Sequence, residues 1–235
     1  MSITITEKQI KSKIKLKDRT AVVENIKYPY FESITRKKLC DKMNSFYFSI
    51  AQKYSGYAHK KLVAKIEKKS ASAKLPFVLN MNYFISVCDE NVVSIVLDLS
   101  FSSGKEMRMR RFSQMWSVKK SDIAVPREII KNDRKSRKTV FSNVLTAARE
   151  NSENPSFGYY GDYLSRLVKN FDVSCFFIVP HGICFFVNAG ILSPLKYGHT
   201  NFVVPFSRLS AVINEEFLPI KSENTDQNTD IVNNV

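Results

Sequence analysis

The fold is decided by residues 77–101, which read FVLNMNYFISVCDENVVSIVLDLSF. Two runs in this stretch alternate apolar with polar side chains, and the polar tripeptide Asp89–Asn91 separates them. Such alternation is typical of strands, and short polar turns join antiparallel neighbours. A third run begins at Met107, after a turn at Ser102–Gly104. The pattern therefore predicts an antiparallel meander with one face on a core and the other face towards water.

The segment before the meander predicts a cover for its apolar face. Apolar side chains recur at steps of three and four from Leu39 to Tyr57, and Ser33 offers an N-cap. These positions predict a long amphipathic helix packed on the meander. The preceding segment, 21–31, contains a proline near its end and is typical of an edge strand. Residues 1–20 are basic and weakly patterned, which fits either an exposed lead-in or a further edge strand.

Helical periodicity returns after the meander, and a second β region follows it. The predicted elements are a second helical segment from Pro126 to Ala148, a shorter helix over 160–171, a β-hairpin over 173–188 that turns at Pro180-His181-Gly182, and a final strand over 201–206. The fold class is therefore α+β. We expect a basic lead-in over 1–20, a single α+β domain over 21–213, and an acidic disordered tail over 214–235, where periodicity stops.

Positive charge is the most unusual feature of the composition. The 235 residues carry a net charge of +14, and because residues 215–235 carry −4, the first 214 carry +18. This surplus suits nucleic acid, an anionic membrane or an acidic partner, and it also serves solubility. The candidate face for an anionic partner comprises Lys131, Arg134, Lys135 and Lys138 at helical spacing, with Arg108 and Arg110 on the third strand.

Both groups of cations have a plainer interpretation as solvated surface. Arg108 and Arg110 are expected on the same strand face as Asp98, which predicts partial charge pairing between strands. Phe112 and Trp116 are expected on the strand face of Arg110, but aromatic side chains do not otherwise interleave with the cations as they do on platforms for single-stranded nucleic acids.

The sequence contains no constellation typical of a catalytic, cofactor or metal site. His59, His181 and His199 lack the spacing of zinc ligands, and we expect them on the surface or in turns. A nucleophilic Cys184 beside His181 is the alternative to a core cysteine. The four cysteines lack paired CxxC spacing, which predicts free thiols and a cytoplasmic location. We find no signal peptide and no apolar run of the roughly 18 residues that a spanning helix needs.

The order of motifs between Tyr159 and Phe206 resembles a known family. The motifs are Tyr159-Tyr160-x-Asp162-Tyr163, Leu167, Phe171, CFFIVPHGICFF over 175–186, Ile191-Leu192-Ser193-Pro194, Gly198 and Phe202-Val203-Val204-Pro205-Phe206. This series is similar to the closing module of PdaC/RsiV-like domains. The upstream helix, meander and helix also fit that family's α+β layout, so the resemblance spans roughly residues 21–211.

The resemblance implies a domain that is not itself catalytic. Members include the extracytoplasmic part of lysozyme-binding anti-sigma factors and an accessory domain of peptidoglycan deacetylases. This chain shows no membrane anchor, signal or fused deacetylase, so we do not expect lysozyme sensing or cell-wall contact, and no family binding residue carries over. The expectation is a non-enzymatic binding or sensing module for an unknown protein or ligand. The alternative is a basic nucleic-acid-binding protein, and the sequence leaves the oligomeric state open.

Overall fold

A computed structural model describes residues 3–69, 75–103 and 106–219, whose strands form two sheets. The larger sheet holds, in spatial order, β1 (Thr4–Leu16), β2 (Arg19–Glu32), β3 (Phe77–Cys88), β4 (Val92–Ser102), β5 (Met107–Ser117) and β6 (Asp122–Ala124). The smaller sheet holds β7 (Phe176–Val179), β8 (Gly182–Val187) and β9 (Thr200–Pro205). The α-helices are α1 (Lys37–Tyr57), α2 (Val63–Lys69), α3 (Pro126–Ile129), α4 (Arg134–Ser152), α5 (Tyr163–Asn170) and α6 (Phe206–Leu209).

The predicted antiparallel meander is formed by β3, β4 and β5. Leu99 of β4 pairs with Met81 of β3 on one side, and its neighbour on β5 is Arg110. Helix α1 packs on this sheet through an apolar stripe of Leu39, Met43, Tyr47 and Ala51. The indole Nε1–H of Trp116 on β5 donates to the hydroxyl of Tyr47 at 2.9 Å, which ties the helix to the sheet. The α+β class, with a long helix on an antiparallel meander, is confirmed.

Strand β2 lies between β1 and β3, so the prediction of an edge strand over 21–31 was wrong, and its parallel pairing with β3 was not predicted. Val22 lies beside Phe77, and Ile26 lies beside Met81. Parallel neighbours need a long crossover connection, and here it contains α1, a π-helical turn at Ala58–Leu62 and α2. The meander is thereby extended into a mixed sheet.

Residues of the predicted basic lead-in form an edge strand. β1 runs antiparallel along β2, and the hairpin turns at Lys17 and Asp18, whose φ values are 46° and 60°. Two consecutive positive φ values are typical of the tight turns that join hairpin strands. Of the two alternatives for residues 1–20, the edge strand is the one observed, so the folded unit begins before residue 21.

The smaller sheet covers the meander face that was expected to meet water. Ser94 on β4 is fully buried, and its Oγ accepts hydrogen bonds from the backbone N–H of Ile178 at 3.0 Å and from the Ser86 hydroxyl at 2.9 Å. A bulge between Ile85 and Val87 turns Val87 into this second core. The expectation of a solvated face was wrong where the smaller sheet packs, because small hydroxyl side chains there bond to a second layer, against which α4 packs from outside. Asn82 on the same face remains exposed, as expected.

The folded part of the chain continues beyond residue 213. A short 3₁₀ turn at Glu215–Phe217 places the Phe217 side chain in the second core, fully buried. Asn91 also donates its side-chain amide to the carbonyl of Leu218 at 2.8 Å. The predicted boundary at 213 is therefore too early, and residues 220–235 of the predicted tail lie outside the described residues. No helix in the described ranges is long and apolar enough to cross a membrane.

Candidate binding groove

The cations expected on one face of the second helix do not all lie on it. Helix α4 begins at Arg134 with Asp133 as its N-cap, so Lys131 precedes the helix, and its ammonium donates to the carbonyl of Ala211 at 3.0 Å. The prediction that Lys131 shares a helical face was therefore wrong. Three predicted cations of α4 are exposed, and Arg137, which was not predicted, is exposed as well. We call this exposed set the basic face of α4: Arg134, Lys135, Arg137 and Lys138.

The two predicted arginines of β5 lie on the other side of the large sheet. Arg108 pairs with Phe101 and Arg110 with Leu99, so both share the sheet face that carries α1. The basic face of α4 belongs to the side covered by the smaller sheet. The structure thus separates the two groups of cations. The predicted pairing with Asp98 was also wrong, because Asp98 lies opposite the neighbouring arginine, Arg111, on the opposite face of the sheet.

Arg111 is the centre of a buried polar cluster between the two sheets. Its guanidinium donates to both carboxylate oxygens of Asp98, at 2.8 and 2.7 Å, and to the side-chain oxygen of Asn201 at 3.0 Å. Its backbone N–H donates to Asn188 at 2.8 Å. Two aromatic rings lie 5.4 and 5.9 Å from the guanidinium carbon, those of Phe84 and Phe177. Because Arg111 is paired in a fork geometry and shielded, the cluster fastens the sheets together.

His199 borders this cluster and is buried, which contradicts its expected place on the surface. Its side chain is 3% exposed, and Nδ1 accepts the backbone N–H of Ala189 at 3.2 Å. The neutral ring therefore carries its proton on Nε2, which lies 3.7 Å from Asp98. Burial, assisted by the charge of Arg111 and opposed by Asp98, lowers the pKa of His199 to about 4. The side chain is neutral at physiological pH.

A buried carboxylate lies under the π-helical turn Ala58–Leu62. The Glu24 side chain is 1% exposed, and its Oε1 accepts hydrogen bonds from Ser12 at 2.7 Å and Ser55 at 3.1 Å. The imidazole Nε2 of His59, a half-exposed side chain on the π turn, is 3.4 Å from the same oxygen. Oε2 is buried without a hydrogen-bond partner among the described residues. Glu24 thus links β1, β2 and α1.

Cys184 does not form the predicted alternative of a nucleophilic pair with His181. The thiol is buried among apolar side chains, and burial raises its pKa to about 12. His181 is exposed in the hairpin turn. All four cysteines are free thiols. Within the ranges that the structure describes, no three His, Cys, Asp or Glu side chains are grouped to hold a metal ion.

An open groove of about 280 Å³ separates α1 from the sheet near β5, and we call it the α1–β5 groove. Helix α1 contributes Phe46, Ile50, Lys53 and Tyr54. The sheet contributes Met81, Leu97, Leu99, Phe112, Ser113 and Gln114. These apolar side chains belong to the core pattern in the sequence, but α1 leaves this end of the sheet partly uncovered, so Phe112 stays 37% exposed.

Positive charge borders the apolar floor of the α1–β5 groove. Lys53 on α1 and Arg110 on β5 are both exposed. Burial raises the pKa of Tyr54, and the positive charge of Arg110 acts in the opposite direction. Arg110 also pairs across the strands with Leu99, a residue that lines the groove. The groove therefore combines an apolar interior with a cationic rim.

The fold defines a class of mixed α+β protein that solved structures share. A crystal structure of a DUF3298 family member from Bacteroides fragilis NCTC 9343 is similar, with a TM-score of 0.69 at 13% sequence identity, covering 92% of this chain and 95% of that chain. A DUF3298 family protein from Pseudomonas aeruginosa PAO1 is also similar, with a TM-score of 0.62 at 10% identity, covering 93% of this chain and 98% of that chain. At these identities the likeness shows the fold alone. No protein-family model and no curated protein matches the chain.

Proposed function

We propose that this chain is a non-enzymatic binding or sensing module of the PdaC/RsiV-like kind, and that it holds a segment of a partner protein in the α1–β5 groove. The observation that carries the proposal is an apolar groove with a cationic rim on the α1 side of the larger sheet. The fold that this chain shares with DUF3298 family proteins supports its assignment to a domain of this α+β layout. The ordered motifs from Tyr159 to Phe206 support the PdaC/RsiV-like assignment.

The non-enzymatic part of the proposal rests on what the reactive side chains contact. His199 is neutral, buried and bonded to a backbone N–H, and Cys184 is enclosed by the core. Arg111 and Asp98 satisfy each other in a fork geometry. Each group has a structural task in the described part of the chain. The proposal includes a cytoplasmic location, which the four free thiols support because reducing compartments keep cysteines unpaired.

An unbiased peptide-display selection against the full chain tests the proposal. Ile50→Trp enlarges a side chain that lines the α1–β5 groove, and Ile34→Trp is a matched control because Ile34 is fully exposed. We expect selected peptides to bind the wild type and Ile34→Trp but to lose affinity for Ile50→Trp, provided circular dichroism shows that both variants fold. Selected peptides that bind all three proteins equally would show that the groove is not the binding surface.

A nucleic-acid-binding function is the second candidate, and the basic face of α4 favours it. Its four exposed cations lie over the first turns of one helix, where they can displace counterions from a phosphate backbone. A gel-shift titration with duplex and single-stranded DNA and RNA over a series of salt concentrations tests this function. Binding that weakens steeply with salt and is lost on reversing Arg134 and Lys138 supports it, whereas absence of micromolar binding at low salt removes it.

A further inference from the structure

The chemistry of the α1–β5 groove specifies its partner more closely. Resting on the proposed function, we infer that the groove accepts a short acidic segment of a partner protein, in which bulky apolar side chains serve as anchors and flanking carboxylates meet the cationic rim. The ligand class is thus an acidic, apolar-anchored peptide.

The size of the groove fits anchoring side chains. Its volume of about 280 Å³ lies just below the range of roughly 300–1,000 Å³ that is typical of sites for whole small molecules. An apolar cavity of about 150 Å³ suffices for a benzene-sized group. The groove therefore has room for one or two aromatic or leucine side chains, and its walls of Ile50, Leu97 and Leu99 offer them apolar contact.

The charges around the groove select the flanking residues of the ligand. Arg108 and Arg110 extend from β5 on the α1 side of the sheet, and Lys53 of the helix lines the groove. Lys65 adds a fourth cation on this side, with its ammonium 5.8 Å from the centre of the Phe101 ring. Arg108 has Glu106 at 3.6 Å, but within the described ranges Lys53 and Arg110 have no carboxylate at ion-pair distance. A ligand with carboxylates beside its anchors supplies the missing negative charge.

The backbone of β5 favours a ligand that binds through side chains over one that adds a strand. Strand β6 pairs with Met115–Ser117, which leaves the outer edge of β5 before Met115 without a neighbouring strand among the described residues. The outward N–H of Arg111 in this stretch already donates to Asn188 at 2.8 Å. A continuous ladder of hydrogen bonds to an incoming strand is therefore interrupted at its centre.

Nucleic acid fits this groove less well than an acidic peptide. Bases bind single-strand platforms by stacking on exposed aromatic faces. Here Trp116 is buried in the core against Tyr47, and Tyr54 is half-buried. Phe112 offers about a third of its surface. The apolar walls can bury an aliphatic anchor, but they do not offer a row of stacking faces.

Fluorescence anisotropy with a defined probe tests the inference. The probe is a short labelled peptide that alternates glutamate with leucine and phenylalanine, and the comparison peptide replaces every glutamate with lysine. The protein is the full chain as wild type, Arg110→Glu, and Arg134→Glu as a control with the same change in net charge on the basic face of α4. We expect the acidic peptide to bind the wild type, Arg110→Glu to weaken it by about tenfold or more, and Arg134→Glu to leave it within about twofold. Arg110→Gln, expected to weaken binding by a smaller factor, serves if Arg110→Glu fails to fold.

Several outcomes would overturn the inference. They are absence of binding by the acidic peptide, equal losses for Arg110→Glu and Arg134→Glu, tighter binding of the lysine peptide, and displacement of the probe by a single-stranded oligonucleotide. A gain in affinity when Glu223, Asp226 and Asp230 of the chain's own acidic end are changed to amides would identify that end as the occupant. The display selection distinguishes the acidic-peptide inference from the proposed function. Selected peptides that bind the groove but contain no carboxylates would contradict the inference and still support the proposed function.

Discussion

Lowering the pH should weaken the fold through His199, a side chain that is buried in its neutral form. The pKa of His199 is about 4 in the folded chain, against an ordinary value of 6.5. Between these values the unfolded chain binds a proton that the folded chain excludes, so stability is full above pH 6.5 and is lost as pH falls towards 4. At 1.36 kcal/mol per pKa unit, His199 alone should lower the free energy of unfolding by roughly 1 kcal/mol at pH 5.5 and roughly 3 kcal/mol by pH 4.

Urea denaturation at a series of pH values between 7.5 and 4.5 measures this loss. Asn at position 199 keeps an acceptor for the N–H of Ala189 but does not titrate, so His199→Asn is the matched variant. The difference in unfolding free energy between wild type and variant should shrink, or change sign, as the pH falls. Carboxylates with lowered pKa values, such as Asp122 and Asp133, affect both proteins equally and cancel. Parallel pH profiles for the two proteins would refute the assignment of a buried neutral His199.

Two further predictions concern a buried hydrogen bond and a close backbone approach. Ser55→Ala removes one hydrogen bond to the buried carboxylate of Glu24 and should lower the free energy of unfolding by about 1.5–3 kcal/mol. The control Ser49→Ala changes an exposed residue of the same helix and should be nearly neutral. Equal effects of the two substitutions on urea denaturation would contradict the role of Glu24. Gly182→Ala directs a methyl group into a backbone carbonyl of β9 and should cost about 1–3 kcal/mol, whereas Gly56→Ala meets open space and should stabilise α1 by about 0.5–1 kcal/mol. Calorimetry measures the melting temperature of both variants. An unchanged melting temperature for Gly182→Ala would disprove the close approach of Gly182 to the backbone of β9.

Local patterns in the sequence identify most elements of this fold because they report which side chains face a core. The alternation in 77–101 predicts β3 and β4, and the three-and-four spacing after Leu39 predicts α1. The same patterns do not report what covers the second face. Ser94 looks like a solvent-facing residue in the sequence, yet it is buried because its hydroxyl bonds to a strand more than eighty residues away. The parallel pairing of β2 with β3 is equally non-local.

The features of the candidate site are harder to predict because they depend on strand register and on how far α1 covers the sheet. Asp98 pairs with Arg111, and not with the residues beside Arg111, because the β4–β5 hairpin pairs Ser102 with Met107. A register shift of one residue would move each side chain of β5 to the other face of the sheet. The buried state of His199 depends on a loop that packs against that pair. The side chains that line the α1–β5 groove follow the apolar pattern of a buried core in the sequence. The groove is open because α1 leaves this end of the sheet partly uncovered. The sequence predicts Arg110 as a candidate cation, but it does not predict the apolar surroundings of Arg110.

Strand β4 serves as a common wall of both cores. Val93 and Ile95 pack on the α1 side, while Val92 packs in the second core with the smaller sheet. Neither core is therefore complete without this strand, although the order of elements along the chain suggests two separate units, one on each side of it. The protein should unfold as one cooperative unit, and the amides of β4 should be the slowest to exchange with deuterium.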